Sequence, residues 1–258
     1  MKFAPAHLAL AAALALSGAA MAQTAAPAAP APAASPLSFN LSLASNYKFR
    51  GQDQNISKTK GFKPALQGGV DYAFDNGFYV GNWNSTVNWL PENKLEVDVY
   101  GGYKFKAGAL DMDVGALAYV YPSASVANTT EVYVAATYGI VTAKYSSTVS
   151  EGYFGFGANG NAGKGRGTGY LNVSLAQEVM PKVTFKAALG STMMTNETEA
   201  AGSKSFMDYS VGGAYDLGDG LSASAAFVGA NKKSAYLFPS STTSVNKNTL
   251  VVMLTKAL

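Results

Sequence analysis

Polar and apolar residues alternate with period two along most of the chain. The clearest case is LEVDVYGGYKFK (95–106). Leu95, Val97, Val99, Gly101, Tyr103 and Phe105 fall on one side, and Glu96, Asp98, Tyr100, Gly102, Lys104 and Lys106 on the other. Successive strand side chains point to opposite faces, so this alternation predicts a strand. About twelve such segments follow one another from Leu37 onward: LSFNLSLASNYKFR, KPALQGGVDYAF, FYVGNWNSTVNW, the segment above, LDMDVGALAYVY, TEVYVAATYGI, VTAKYSSTV, GYLNVSLAQEV, KVTFKAALGSTMM, SFMDYSVGGAYDL, LSASAAFVGAN and KNTLVVMLTKAL. A strand tilted across a bilayer needs about nine to eleven residues, close to the length of these segments.

The first segment places Leu37, Phe39, Leu41, Leu43, Tyr47 and Phe49 on one face, with Lys48 and Arg50 on the other. The second sets Leu66, Val70, Tyr72 and Phe74 against Lys63, Gln67 and Asp71. The third sets Tyr79, Trp83, Val87 and Trp89 against Asn82, Asn84, Thr86 and Asn88.

The connections sort by length. After every second segment they are tight and built from turn residues: Asp75-Asn76-Gly77, Ala107-Gly108, Gly139-Ile140, Pro181 and Gly218-Asp219-Gly220. The others are mostly longer: 51–62, 90–94, 122–129, 150–167, 194–204 and 232–246. Short turns at one end and long polar loops at the other predict an all-β fold, a single antiparallel up-and-down transmembrane barrel with short periplasmic turns and longer external loops. An even strand count brings both termini to the periplasmic side. Tyr47, Phe49, Tyr72, Phe74, Trp89, Tyr103, Phe105 and Tyr215 near strand ends are expected to form interfacial girdles. Small residues on the polar face (Gly69, Gly102, Gly115, Ala188, Gly190, Ser210, Gly212 and Ala214) predict a hydrated lumen, since a packed core needs bulk.

Composition narrows the setting. Residues 1–22 (MKFAPAHLALAAALALSGAAMA) have the layout of a secretory signal peptide, with an apolar run from Leu8 to Leu16 and small residues at Ala20 and Ala22. Residues 23–36 form an Ala/Pro-rich linker, and 37–258 the barrel. No segment approaches the length of a transmembrane helix. Cleavage removes Lys2 and His7, leaving 18 basic side chains against 16 acidic ones without basic runs. That balance gives no support for nucleic-acid binding. There is no cysteine, so no disulfide framework.

The chain's one histidine lies in the leader, so the mature chain offers no Ser-His or Cys-His pair and no histidine metal site. GFGANG (155–160) matches G-x-G-x-x-G but follows no buried parallel strand, and Lys164 is followed by Gly165 rather than Ser or Thr, so a loop is expected there. Lys104 and Lys106 lie opposite Asp113 and Asp111 across the Ala107-Gly108 turn, which predicts a salt-bridge ladder. Glu96 and Asp98 find no cation on either neighbouring strand.

The stretches SNYKFRG (45–51), KPALQGG (63–69), NGFYVGNW (76–83), LEVDVYGGY (95–103), YP (121–122), EVY (131–133) and KYS (144–146) together resemble the TorF-type porin family of proteobacterial outer-membrane barrels. The resemblance spans nearly all of the mature chain in order. It implies an outer-membrane barrel acting as a porin, with no established substrate or catalytic residue. Two departures stand out: Gln52-Asp53-Gln54-Asn55 follows Phe49-Arg50-Gly51 where the family more often has Ser-Gln, and the chain ends in Leu258 rather than an aromatic residue.

The expected function is a passive outer-membrane porin for small hydrophilic solutes, not an enzyme, with no cofactor and no metal. Its pore-lining residues are expected to be Lys48, Arg50, Lys63, Asp71, Glu96, Asp98, Lys104 and Asp113. Lys48, Arg50 and Lys63 would face Glu96 and Asp98 either as opposed charged walls that select solutes or as a static network that plugs the barrel. The expected partners are outer-membrane lipids, small hydrophilic solutes, and the barrel-assembly machinery through the C-terminal strand, where Leu250, Val252 and Leu254 keep the alternation. The competing reading is a non-conducting barrel whose external loops bind a ligand, phage or surface partner. Conductance separates the two.

Overall fold

The alternating segments become the staves of a closed barrel. A computed structural model describes residues 35–55, 62–90, 92–156, 165–200, 202–231 and 248–258. The expected leader (1–22) and nearly all of the expected linker (23–36) lie outside these residues. The chain begins with β1 (Leu37–Ala44) and two short strands, β2 (Lys48–Phe49) and β3 (Gln52–Asp53). It continues with β4 (Ala65–Ala73), β5 (Phe78–Thr86), β6 (Leu95–Ala107), β7 (Leu110–Val120), β8 (Thr129–Tyr138) and β9 (Val141–Thr148). The last five are β10 (Gly169–Met180), β11 (Val183–Met193), β12 (Phe206–Gly218), β13 (Leu221–Ala230) and β14 (Thr249–Ala257).

Twelve of these strands, all but β2 and β3, form the barrel. Neighbours in sequence pair antiparallel, and β1 closes the circle by pairing with both β4 and β14. The five tight turns fall where the sequence placed them. Lys182 and Asp219, non-glycine residues in two of these turns, adopt positive φ (69° and 50°). The start of β1 and the end of β14 meet at the short-turn end, where Phe39 and Leu258 exchange backbone hydrogen bonds (3.2 and 3.0 Å).

Cross-strand register fixes which face each residue takes. The outer face carries Leu37, Leu41, Leu43, Val70, Val99, Val132, Leu171, Leu189, Leu250 and Val252, all exposed or half-buried apolar side chains. At the short-turn end Tyr72, Phe74, Phe78, Tyr103 and Phe105 cluster with ring centroids 4.7–5.6 Å apart. They form part of the girdle expected there. The inner face holds buried carboxylates, lysines, hydroxyls and tyrosines. The chain is thus polar inside and apolar outside, the reverse of a water-soluble fold.

Two expectations fail. β1 ends at Ala44 rather than continuing to Arg50, and Tyr47, Phe49 and Trp89 are buried inside instead of sitting in an outer girdle. In β5 the phase is inverted. Phe78 and Val80 point out, Tyr79 and Trp83 point in, and Asn82, Asn84 and Thr86 therefore share the outer face. Polarity misled because this lumen is lined with aromatic rings, and the outer face carries carboxamides at that strand.

Candidate functional site: a hairpin folded into the barrel mouth

β1 leaves the wall at Ser45. That residue is still tied to β14, its N–H donating to the Val252 carbonyl (2.8 Å) and its Oγ accepting from the Val252 N–H (2.9 Å). The next residues turn inward and form a hairpin, β2 and β3, in which Phe49 pairs with Gln52 and Lys48 with Asp53. Its two-residue turn, Arg50-Gly51, has positive φ at both positions (47° and 74°), the geometry of a type I′ hairpin turn. Gly51 suits that turn. A Cβ there would also meet the Gly229 carbonyl oxygen at 2.5 Å, so the tip presses against β13, two strands from β1 around the barrel. Arg50 holds a left-handed backbone unusual for a side chain of its size, a conformation that persists only where surroundings enforce it.

Those surroundings are the long-loop end of the lumen. Tyr47 packs edge-on against Trp83 of β5 (5.6 Å), and Phe49 against Tyr119 of β7 (5.5 Å) and Phe154 (5.3 Å). The Arg50 Nη2 donates to both carboxylate oxygens of Glu131 of β8 (2.9 and 2.7 Å), and Nη1 donates to the Tyr153 hydroxyl (3.0 Å). It also lies over the Tyr170 ring of β10 (4.1 Å). Arg50 and Glu131 are each only 2% exposed. Burial alone lowers the Arg50 pKa, but Glu131 and the hydroxyls of Tyr153 and Tyr119 outweigh it and push the pKa above the ordinary arginine value. Lys48 pairs within the hairpin with Asp53 (3.0 Å).

The sequence-predicted residues therefore separate into three groups. Lys48 and Arg50 stand on the hairpin rather than on a barrel strand. Lys63 lies at the rim just before β4, half-buried; burial and then the Lys94 ammonium lower its pKa, against Asp53. Glu96 and Asp98 project inward from β6 beneath the hairpin, 1% and 2% exposed. Glu96 accepts from the hydroxyls of Tyr47 (3.1 Å) and Tyr121 (3.2 Å), so its partners are phenols rather than cations. Asp98 pairs in register with Trp83 and Tyr119, and its Oδ1 accepts no hydrogen bond among the described residues. Among the described residues the three cations expected to face Glu96 and Asp98 lie elsewhere: Arg50 pairs with Glu131, Lys48 with Asp53, and Lys63 stands at the rim.

Asp71, Lys104 and Asp113 line the lumen nearer the short turns. Asp71 accepts from the Tyr100 hydroxyl (2.5 Å) and Asp113 from that of Tyr79 (2.8 Å). Lys104 sits over the Tyr79 ring at 4.8 Å. Lys104 and Asp113 are partners in register as expected, whereas the ion pair forms one step further on, between Lys106 and Asp111 (2.5 Å). The inner-face glycines do not leave empty space. A Cβ at Gly102 would meet the Tyr79 hydroxyl at 2.5 Å and one at Gly115 that of Tyr133 at 2.6 Å, so tyrosines lie flat across glycines of neighbouring strands. Tyr79 and Tyr133 join through a short hydrogen bond between their hydroxyls.

Residue-by-residue reading missed Glu131, Tyr153, Tyr170 and Asp208, and the inward lysines Lys144 and Lys186. A signal existed, since Glu131 and Lys144 occupy the polar phase of their segments. Most of GFGANG lies outside the described residues, but Tyr153 and Phe154, just before it, and Phe156 within it are buried, with Phe154 packed on Phe49 of the hairpin. Opposite them, a narrow cleft separates Asn46, Tyr47 and Lys48 from Ser224, Ala226 and Val228 of β13 and Val251 and Met253 of β14.

The family model described as a bacterial protein of unknown function (Gcw_chp) matches residues 28–258. The chain belongs to that family. No curated protein matches the sequence. Among solved structures, the barrel is similar to the KdgM porin (TM-score 0.54, 9% identity, covering 85% of this chain and 98% of that one). It is likewise similar to the NanC porin (TM-score 0.54, 10% identity, 86% and 98%). At these identities the likeness is one of fold.

Proposed function

We propose that this Gcw_chp-family barrel is an outer-membrane porin through which small hydrophilic solutes diffuse passively, without bond chemistry or cofactor. The observation that carries the reading is the inverted polarity: an apolar outer belt around a lumen of carboxylates, lysines and phenols. Of sheet structures, only a closed barrel satisfies its backbone while facing lipid. Outer-membrane lipids then cover the belt, and β14, with Leu250, Val252 and Leu254 outward, presents the strand for assembly.

In this reading, solute passes the hairpin through the cleft between Lys48 and the small residues Ser224 and Ala226 of β13, on the short-turn side of the contact between Gly51 and Gly229. Asp71, Lys104 and Asp113 line the route beyond. The test is liposome swelling with purified full-length protein across sugars, amino acids and small anions. Swelling that falls with solute size is expected, and rates equal to protein-free liposomes would overturn the reading.

The hairpin favours one alternative, a non-conducting barrel that displays its loops to a ligand. That reading predicts no swelling in wild type and none after hairpin contacts are broken.

A further inference from the structure

We propose that the outer face of β5 is the contact surface for a second copy of this chain, an inference that rests on the membrane reading above. Asn82, Asn84 and Thr86 point outward along one strand. Their cross-strand neighbours on that face are Val70 and Gly68 of β4 and Val99, Val97 and Leu95 of β6. Leu66 and Leu95 lie further toward the long-loop end and are exposed, as is Val99 at 53%. The carboxamides are therefore enclosed by apolar, outward-facing side chains and sit within the hydrocarbon belt rather than at its edge.

Their hydrogen bonding is half complete. The Asn84 Nδ2 donates to Asn82 Oδ1 (2.5 Å), and the Asn82 Nδ2 donates to the Asp98 carbonyl (2.9 Å). That leaves the Asn84 carbonyl oxygen and one N–H of each residue without a partner among the described residues. Lipid tails cannot supply one, and an unpaired amide in hydrocarbon is costly.

Symmetry selects the occupant. Two copies inserted in the same direction are related by an axis along the membrane normal, so an isologous contact brings each residue to its own counterpart at equal depth. A lone charge there would meet its own sign. A carboxamide carries both donors and an acceptor, so Asn84 can pair with Asn84 and Asn82 with Asn82. Gly68, beside Asn84, adds no side chain to hold the two walls apart.

The native chain has no cysteine, so single-cysteine variants report this contact directly. Full-length Asn82→Cys, Asn84→Cys and Val134→Cys, the last on the outer face of β8, are treated in outer membranes with a short bifunctional thiol reagent. We expect Asn82→Cys and Asn84→Cys to give at least tenfold more dimer than Val134→Cys. The uncrosslinked double variant Asn82→Leu/Asn84→Leu should be monomeric where wild type is dimeric by native mass measurement, with unchanged liposome swelling. Equal crosslinking at all three sites, adducts to another protein, or a wild type already monomeric would overturn the inference. Failure to fractionate with the outer membrane would instead overturn the membrane reading beneath it.

Discussion

Replacing Arg50 with alanine should release the hairpin from the barrel mouth. The side chain contributes two hydrogen bonds to Glu131, one to Tyr153, and a stacked contact with Tyr170. Truncation leaves the Glu131 carboxylate buried with the Tyr119 hydroxyl (3.3 Å) donating to it and Lys144 as a positive charge that still acts on it. Removing one member of a buried ion pair costs about 3–5 kcal/mol, mostly through the charge left behind. Much of that cost disappears if the hairpin swings out and water reaches Glu131. The ratio of undocked to docked hairpin should therefore rise by roughly two to three and a half orders of magnitude. The assay pairs bilayer recording with limited proteolysis. Arg50→Ala should show larger or longer openings than wild type and new cleavage within residues 45–55. Arg50→Lys, which keeps the charge but lacks a second nitrogen for Tyr153, should fall between. Wild-type conductance together with wild-type protease resistance in Arg50→Ala would refute the reasoning.

Other variants test separate parts of the account. Gly51→Ala forces a side chain into a left-handed turn and against the Gly229 carbonyl, so it should shift conductance in the same direction as Arg50→Ala while the barrel stays folded. Gly115→Ala pushes a methyl group against both the Gly101 carbonyl oxygen and the Tyr133 hydroxyl and should cost about 1–3 kcal/mol, read as a lower midpoint of urea unfolding in lipid; an unchanged midpoint would argue against the close seating of strand and tyrosine at this glycine. Lys106→Ala removes an ion pair exposed on both sides, so stability should change by less than about 1 kcal/mol in the same assay. Ala226→Trp narrows the cleft beside the hairpin and should slow liposome swelling, whereas Ala223→Trp on the outer face of the same strand should not.

The barrel itself was legible because its evidence repeats. β6 reads the same in sequence and structure: Leu95 and Val99 outward, Glu96 and Asp98 inward. Alternation fixes only that two faces differ, however, not which faces lipid. In β5 the rule of polar inward and aromatic outward chose the wrong face, because Tyr79 and Trp83 fill the lumen. The hairpin was invisible for a related reason. Lys48 and Arg50 continue the alternation of β1 without a break, and an inward hairpin alternates as well as a stave does. The partner of Arg50 depends on Glu131, 81 residues later, brought to the mouth by the circular order of strands. Tyrosine-on-glycine packing is likewise a relation between neighbouring strands, so small inner residues alone suggested space that rings in fact occupy.

The central claim is that solute crosses the lumen past the hairpin, along β13. Single-channel recording of Ser224→Cys in the cysteine-free chain tests it most directly, before and after a charged methanethiosulfonate reagent is added. Ser224 borders the cleft opposite Asn46 and Lys48. The account predicts discrete openings whose amplitude drops when the thiol is modified. Absence of openings in wild type, Arg50→Ala and Ser224→Cys alike would contradict it, as would a current unaffected by a modification verified by mass.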